Sequence, residues 1–473
     1  MYNEKKVNEL ELEILRKSVD KLEKILGKNL LQSKKIKNII KIVENFISKK
    51  KLICYGGTAI NNILPKEDQF YNLDIELPDY DFFSINAIND AKELANLYYN
   101  AGYTEVEAKA GIHTGTYKVY VNFIPVADIT QLNIEVFNAL KKQAIKINNI
   151  LYTPPDFLRM SMYLELSRPR GDISRWEKIL KRLFLLNKHY PLNNPKCNNI
   201  SFMRNFQGKK KEVNNLIYLI KKTLVNQGVV FFGAYATSLY NYYNNTSHFD
   251  KKSPDFDVLS EEPKKTAIIL KETLEVNGYK NVKIYKKPGI GEIIAQHYEV
   301  VYGNDSIVYI YKPLACHSYN VIKLNNLNIK VATIDTIMSF YLAFIFSNRK
   351  YYDHNRIYCM AQFLFNTQNF NRLKQFGLLK RFSFKCYGNQ TTIEDIRAFK
   401  SQKFKELKDL KSTDNIYLNE YEKYFLKYTP CNDECKNKET KKTKSLPIKK
   451  TIKNKKLTKK ANSLPIKNTI KRK

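Results

Sequence analysis

The sequence predicts an α+β chain of two tandem, related domains, the second degenerate, with added helices and a disordered basic C-terminal tail. Three observations predict it. Gly56-Gly57-Thr58-Ala59 is followed by Pro78-Asp79-Tyr80-Asp81, with Asp79 20 residues after Ala59. A damaged version recurs as Gly233-Ala234-Tyr235-Ala236 and Pro254-Asp255-Phe256-Asp257, with Asp255 19 residues after Ala236. Further on, Met160-Ser161-Met162-Tyr163-Leu164 is echoed by Met338-Ser339-Phe340-Tyr341-Leu342. The offset, about 175 to 180 residues, is too long for a solenoid repeat and suits a duplicated domain. The chain accordingly divides into a helical region at 1–50, a first domain at 51–190, a linker at 191–212, a degenerate copy at 213–430 and a Lys-rich tail at 431–473.

In the helical region, Leu10, Ile14, Leu22, Ile25 and Leu26 recur at near-helical spacing among Lys and Glu. A strand over Leu52-Ile53-Cys54-Tyr55 leads to the glycine turn, and a helix starts near Thr58. Ala87 to Asn100 reads as a helix ended by Gly102. Val119, Val121 and Phe123 alternate along a strand that runs into Pro125-Val126-Ala127-Asp128. A helical region runs from Asp156, a capping residue, to about Asn187, broken near Pro169 and Gly171. Pro191, Pro195 and Lys209-Lys210-Lys211 interrupt the periodicity between the two domains. The tail is low in complexity, repeats Ser445-Leu446-Pro447-Ile448-Lys449 at Ser463–Lys467, and reads as disordered.

Residues i and i+2 of a strand share a face, so Asp79 and Asp81 present two carboxylates together. Carboxylates that close repel unless a cation lies between them, and hard oxygen ligands suit Mg²⁺ or Mn²⁺. Two such ions, ~3.5–4 Å apart, ask for a third acidic ligand, and Asp128 fills that role. Gly56 and Gly57 permit a tight turn whose backbone N–H groups approach phosphates, with the Thr58 hydroxyl beside them. In the second copy Tyr235 replaces Thr58, and the match of Pro125–Asp128 to Pro313–Cys316 puts a cysteine where Asp128 stands. One domain therefore reads as active and the other as inactive. Asp74 and Glu76 lie close enough in sequence to replace a misassigned ligand.

With 80 Lys and Arg against 46 Asp and Glu, the net charge is +34, of which +15 sits in 436–473. A bias this one-sided calls for a polyanion, and with no apolar run long enough for a membrane span, nucleic acid is favoured over lipid. Around the single Trp176 cluster Arg168, Arg170, Arg175, Lys178 and Arg182, which suit phosphates or RNA as well as they suit a solvated helix face. Seven scattered cysteines suit free thiols inside a cell; the Cys431–Cys435 pair is too sparse for zinc. The N-terminus lacks the apolar core of a signal peptide.

Tyr55-Gly56-Gly57-Thr58-Ala59, Leu77-Pro78-Asp79-Tyr80-Asp81-Phe82-Phe83, Val126-Ala127-Asp128 and the stretch from Met160 through Trp176 and Lys178 resemble the catalytic subunit of poxvirus-type poly(A) polymerases, in the versions found in giant DNA viruses. The resemblance covers roughly residues 50 to 360. It implies a polymerase-β-like nucleotidyltransferase fold for the first domain and a degenerate copy for the second. It implies template-independent addition of AMP from ATP, with Mg²⁺ or Mn²⁺, to the 3′ end of viral mRNA. A cytoplasmic virus factory, with packaging in the virion, goes with it. The protein partners left open are a second copy of the chain or a processivity subunit. Rival readings are another RNA nucleotidyltransferase, of the tRNA-end or oligoadenylate type, and a noncatalytic RNA-binding scaffold.

Overall fold

A computed structural model of the chain describes residues 4–71, 78–203, 210–243, 255–324, 326–408 and 415–431. Asp74, Glu76, Pro254 and the tail from 432 lie outside the described residues. The architecture is α+β, with two mixed eight-stranded sheets and helices packed around them.

Two helices, Glu4–Gln32 and Lys34–Lys50, lead in. The second buries Ile36, Ile39, Val43, Phe46 and Ile47, which fall on one face at helical spacing. It ends at Lys51, whose φ of 54° lies in the left-handed region and turns the chain into the first strand. The first sheet is built from β1 (Ile53–Cys54), β2 (Tyr80–Ser84), β3 (Val106–Ala110), β4 (Thr116–Val121), β5 (Ile124–Gln131), β6 (Ile145–Ile147) and β7 (Ile150–Tyr152). The second contains β8 (Val230–Phe232), β9 (Phe256–Leu259), β10 (Val282–Lys287), β11 (His297–Tyr302), β12 (Asp305–Tyr311), β13 (His317–Leu324), β14 (Leu327–Ala332) and β15 (Cys386–Tyr387).

Across seven strands the sheets correspond one to one. The first runs β3-β4-β5-β2-β1-β7-β6 and the second β10-β11-β12-β9-β8-β14-β13. The directions agree too: β2 is parallel to β5 as β9 is to β12, and β1 is parallel to β7 as β8 is to β14. Each half also places a glycine-led helix directly after its first strand, Gly56–Ile63 and Gly233–Leu239.

The echoed Met-Ser segments lie in helices Pro155–Leu166 and Ile334–Ile345, which follow β7 and β14 and pack against each other. Met160, Met162 and Met338 are buried there, so both halves contribute to one core. The whole of Met1–Pro430 is accordingly a single compact unit.

The structure departs from the sequence reading in four places. Phe123 is not a strand residue: Asn122 and Phe123, with φ of 48° and 66°, form the two-residue turn between β4 and β5, and Phe123 is exposed. Asp156 does not cap its helix; Pro154 precedes Pro155 at the first turn, and Asp156 pairs with Arg159. Four of the cysteines are not free thiols, because Cys197 is joined to Cys359 and Cys316 to Cys386. Partners 162 and 70 residues apart leave no trace in sequence spacing. Finally, the segment after the second sheet returns to the first. Its last element, β16 (Lys427–Tyr428), pairs antiparallel with β3, and the Ala110 N–H donates to the Leu426 carbonyl.

Leu426 is buried beside that added strand. Leu426→Ala should cost roughly 2–4 kcal/mol and release the strand, seen as a lower melting temperature and faster amide exchange in Val106–Ala110.

Candidate active site

The parallel register of β2 and β5 sets Asp81 directly opposite Asp128. Cross-strand partners project to the same face, and Asp79, two residues before Asp81, shares it. The next strand contributes Lys118, the register partner of Asp128 on β4, whose ammonium forms an ion pair with the Asp128 carboxylate.

The glycine turn is tied to these strands by its backbone. The Tyr55 N–H donates to the Asp81 carbonyl at 2.9 Å. Gly56 has a φ of +72°, and a Cβ there would lie 2.6 Å from Asp81 Oδ2. Both facts demand glycine. The helix Gly56–Ile63 thus begins against the carboxylates, with its first N–H groups lacking helical partners. The Thr58 hydroxyl is committed elsewhere: it donates to the Asp79 carbonyl at 2.6 Å and is buried, so it anchors the approach to β2. Tyr55 stacks on Phe83 with ring centroids 4.0 Å apart and shares a hydrogen bond with Thr130.

Burial, then the charges of Asp79 and Asp128, push Asp81 up to about 7, with Lys118 and Arg175 partly offsetting them. Asp79, the most exposed of the three, is also raised, by partial burial first and then by Asp128. For Lys118 burial works downward, but the hydrogen bond and charge of Asp128 outweigh it and hold the ammonium above its usual value. Three mutually repelling carboxylates with hard oxygen donors fit a divalent cation. They do not form a finished cage: among the described residues no three acidic, His or Cys side chains are gathered closely enough to hold an ion. A cation would therefore compete with Lys118 for Asp128. Lys118 escapes a sequence reading because its only signal is an in-phase position on a strand whose partner is unknown.

The cationic cluster is not one patch. Arg182 is buried beside the glycine turn, with its guanidinium 4.7 Å from the Phe70 ring centroid and donating to the Tyr71 hydroxyl at 2.7 Å. A Cβ on Gly57 would come within 3.0 Å of it. Arg182 and the exposed Lys178 line a groove of about 450 Å³ with Phe70, Tyr71 and Lys181. Arg175, exposed, reaches Glu165 at 3.2 Å and is near enough to Asp81 to lower its pKa. Arg168 is half-buried and lines a different cleft, of about 630 Å³, with Glu292 and Phe399. Arg170 is exposed and lines neither.

The second half keeps the same frame with other chemistry. Gly233 has a φ of +71°, and a Cβ there would collide with Asp257. Asp255, the counterpart of Asp79, is buried in an ion pair with Arg356 at 2.8 Å. The expectation that Cys316 replaces Asp128 is overturned, because the β9–β12 register sets Tyr309 opposite Asp257. Cys316 lies beyond the end of β12, in a disulfide. The similar Pro-x-Ala-x segments that suggested it are displaced along the chain by an altered hairpin length. In place of Lys118 stands Glu299, which accepts a hydrogen bond from the Tyr309 hydroxyl at 3.0 Å. Tyr235 is buried against Phe231 and Phe256.

Comparison with known proteins returns the resemblance seen in the sequence. Residues 41–172 match the family described as "Poly(A) polymerase catalytic subunit". Two curated relatives share the name "Putative poly(A) polymerase catalytic subunit". One, from African swine fever virus (isolate Pig/Kenya/KEN-50/1950), is 34% identical over 181 residues, 37% of this chain and 38% of the relative. The other, from Acanthamoeba polyphaga mimivirus, is 32% identical over 184 residues, 38% of this chain and 30% of the relative. The matches thus span well under half the length of these relatives. The crystal structure of the Megavirus polyadenylate synthase superposes with a TM-score of 0.74 at 21% identity, covering 93% of this chain and 90% of that one. The fold is therefore shared across both halves, and the sequence match lies in the half that carries the three carboxylates.

Two outcomes follow from this geometry. Because Asp81 in the folded chain sits at about 7, above the ordinary carboxylate value of about 4, the folded state binds more protons than the unfolded one between those limits. Its contribution to stability is present below about pH 4 and is lost as pH rises through about 7. In metal-free protein, Asp81→Asn should flatten the fall in melting temperature over that window and melt higher at alkaline pH. Gly56→Ala should cost roughly 1–3 kcal/mol from backbone strain and push Asp81 from its place, measurable as weakened divalent-ion affinity in a calorimetric titration.

Proposed function

We propose that the chain is a template-independent poly(A) polymerase, which adds AMP from ATP to the 3′ end of viral mRNA. The single observation that carries this is the Asp81–Asp128 register, with the Gly56 turn held against Asp81. It places a phosphate-binding helix start and a cation-binding carboxylate set within one site. The match over 41–172 supports the nucleotide chemistry of the family.

In this reading Asp79, Asp81 and Asp128 hold Mg²⁺ or Mn²⁺. When bound, the divalent ions lower the pKa of the primer 3′-hydroxyl and neutralise the departing pyrophosphate. The chain's own groups supply the rest. The N–H groups of Gly56, Gly57 and Thr58 cradle the β- and γ-phosphates at the helix start, where the dipole favours anions. Arg182 and Lys178, beside that turn, add charge along the triphosphate. Lys118, displaced from Asp128 by the cation, is left close to the reacting phosphate as a counter-charge. Asp81 must lose its proton before it can bind a cation, so cation affinity climbs as pH rises through about 7.

The two halves are two polymerase-β-like nucleotidyltransferase domains in tandem, the second without catalysis. RNA is the partner, met through a basic surface to which the 436–473 segment adds. The rival is a transferase of the tRNA-end or oligoadenylate type, which shares the same metal chemistry. Location in a cytoplasmic virus factory belongs to this reading, supported by the viral relatives. Among the described residues no helix is long and apolar enough to cross a membrane.

The test is incubation of purified protein with a labelled RNA primer, Mg²⁺ or Mn²⁺ and each NTP separately. Long products with ATP alone are expected, while single additions or use of CTP would favour the rival. Asp79→Ala, Asp81→Ala and Asp128→Ala should each reduce transfer by roughly 10³-fold or more. Asp257→Ala should leave most of it. Asp255→Ala strands Arg356 and should lower stability by roughly 3–5 kcal/mol with little change in turnover per folded molecule.

A further inference from the structure

The helix Glu4–Gln32 has no covering surface. Its described side chains, 6–23 and Ile25, are all exposed. Eight of them are large and apolar: Val7, Leu10, Leu12, Ile14, Leu15, Val19, Leu22 and Ile25, between 42% and 66% exposed. A patch of that size on a polar helix marks an interaction surface.

The spacing identifies the occupant. Leu12, Leu15, Val19 and Leu22 follow steps of three, four and three, and the sequence continues with Leu26 at the next step of four. These are successive a and d positions of a heptad, with no charge interrupting them. The other apolar side chains are less regular: Val7, Leu10 and Ile14 fall on the opposite side, and that stripe is broken by Lys17 and Lys21. Only the Leu12 stripe can form a continuous seam.

The flanks of that seam are self-complementary. In the same heptad Glu11 is at g, and Arg16 and Glu23 are at e. A second copy aligned in parallel sets Arg16 against Glu11, and an antiparallel copy sets Arg16 against Glu23. Within one helix these groups do not satisfy each other, since the only ion pair in the described part is Glu13 with Lys17. We propose that the Leu12–Leu22 face pairs with the same face of a second copy of this chain, forming a two-stranded coiled coil that joins two cores. The inference is independent of the catalytic reading. Its consequence is that two basic surfaces are tethered to one strand, which raises the effective concentration of each for an RNA already held by the other.

The experiment is the mass of the full-length protein by light scattering over a dilution series, at low and high salt. Wild type should have the mass of two copies at micromolar concentration and dissociate on dilution. Leu15→Glu/Leu22→Glu should weaken the pairing at least roughly tenfold, with the main melting transition unchanged because the helix face does not enter the core. Ile14→Glu, on the other side, should still pair. Arg16→Glu should weaken pairing, and adding Glu11→Lys or Glu23→Lys should restore it in the parallel or antiparallel case respectively. A monomeric wild type, a three-copy mass, pairing that survives Leu15→Glu/Leu22→Glu, or restoration by neither lysine would overturn the proposal. Single-nucleotide addition should be the same in paired and unpaired variants, so failure here and failure of the catalytic reading are read from different assays.

Discussion

Everything at the site depends on forcing like charges together. Asp79, Asp81 and Asp128 raise the energy of one another's ionised forms, and Asp81 pushed up to about 7 is the sign of that cost. Side chains alone would relax away from such an arrangement. Here the backbone prevents it: β2 and β5 are locked in register, and the Tyr55 N–H bond holds the glycine turn against Asp81. Thr58 fastens Asp79 from the other end. The carboxylates are therefore preorganised by strand pairing and by a glycine that no other residue can replace without collision.

The second half shows what the same backbone becomes once that repulsion is removed. Its glycine, its strand order and its Asp255 and Asp257 persist. Its electrostatics do not: Arg356 neutralises Asp255, and Tyr309 bonded to Glu299 stands where Asp128 and Lys118 pair in the first. The retained frame still packs helix Ile334–Ile345 against helix Pro155–Leu166. The duplicate is thus part of the support for the active half, which explains why neither half forms a compact unit alone.

Local signals in the sequence carried far. The glycine turns, the Asp-x-Asp pairs, the Ala87–Asn100 helix and the echoed Met-Ser helices were legible because each depends on a few adjacent residues. The resemblance to the poly(A) polymerase family was legible for the same reason. What remained hidden depends on pairing across distance. Lys118 gains a partner only through the β4–β5 register, and Tyr309 replaces Asp128 only through the β9–β12 register, which sequence similarity had misplaced onto Cys316. Disulfide partners and the return of β16 to β3 are non-local in the same way. Arg182 reached the glycine turn through helix packing, which no spacing along Trp176–His189 discloses.

The return of β16 also sets an order on the birth of the molecule. Lys427 pairs with Lys109, so the outer strand of the first sheet waits for residues synthesised more than 300 positions later. At about 5–20 residues per second that interval is on the order of 15 to 60 s. Throughout it the nascent chain presents an unpaired strand edge, the kind of surface that recruits stray strands. Lys109 and Lys118 on β3 and β4, with Glu107 between them, give that edge the charge that keeps it soluble meanwhile. Cargo-handling chaperones on the ribosome would meet this half first and hold it longest, although it is the half encoded earliest.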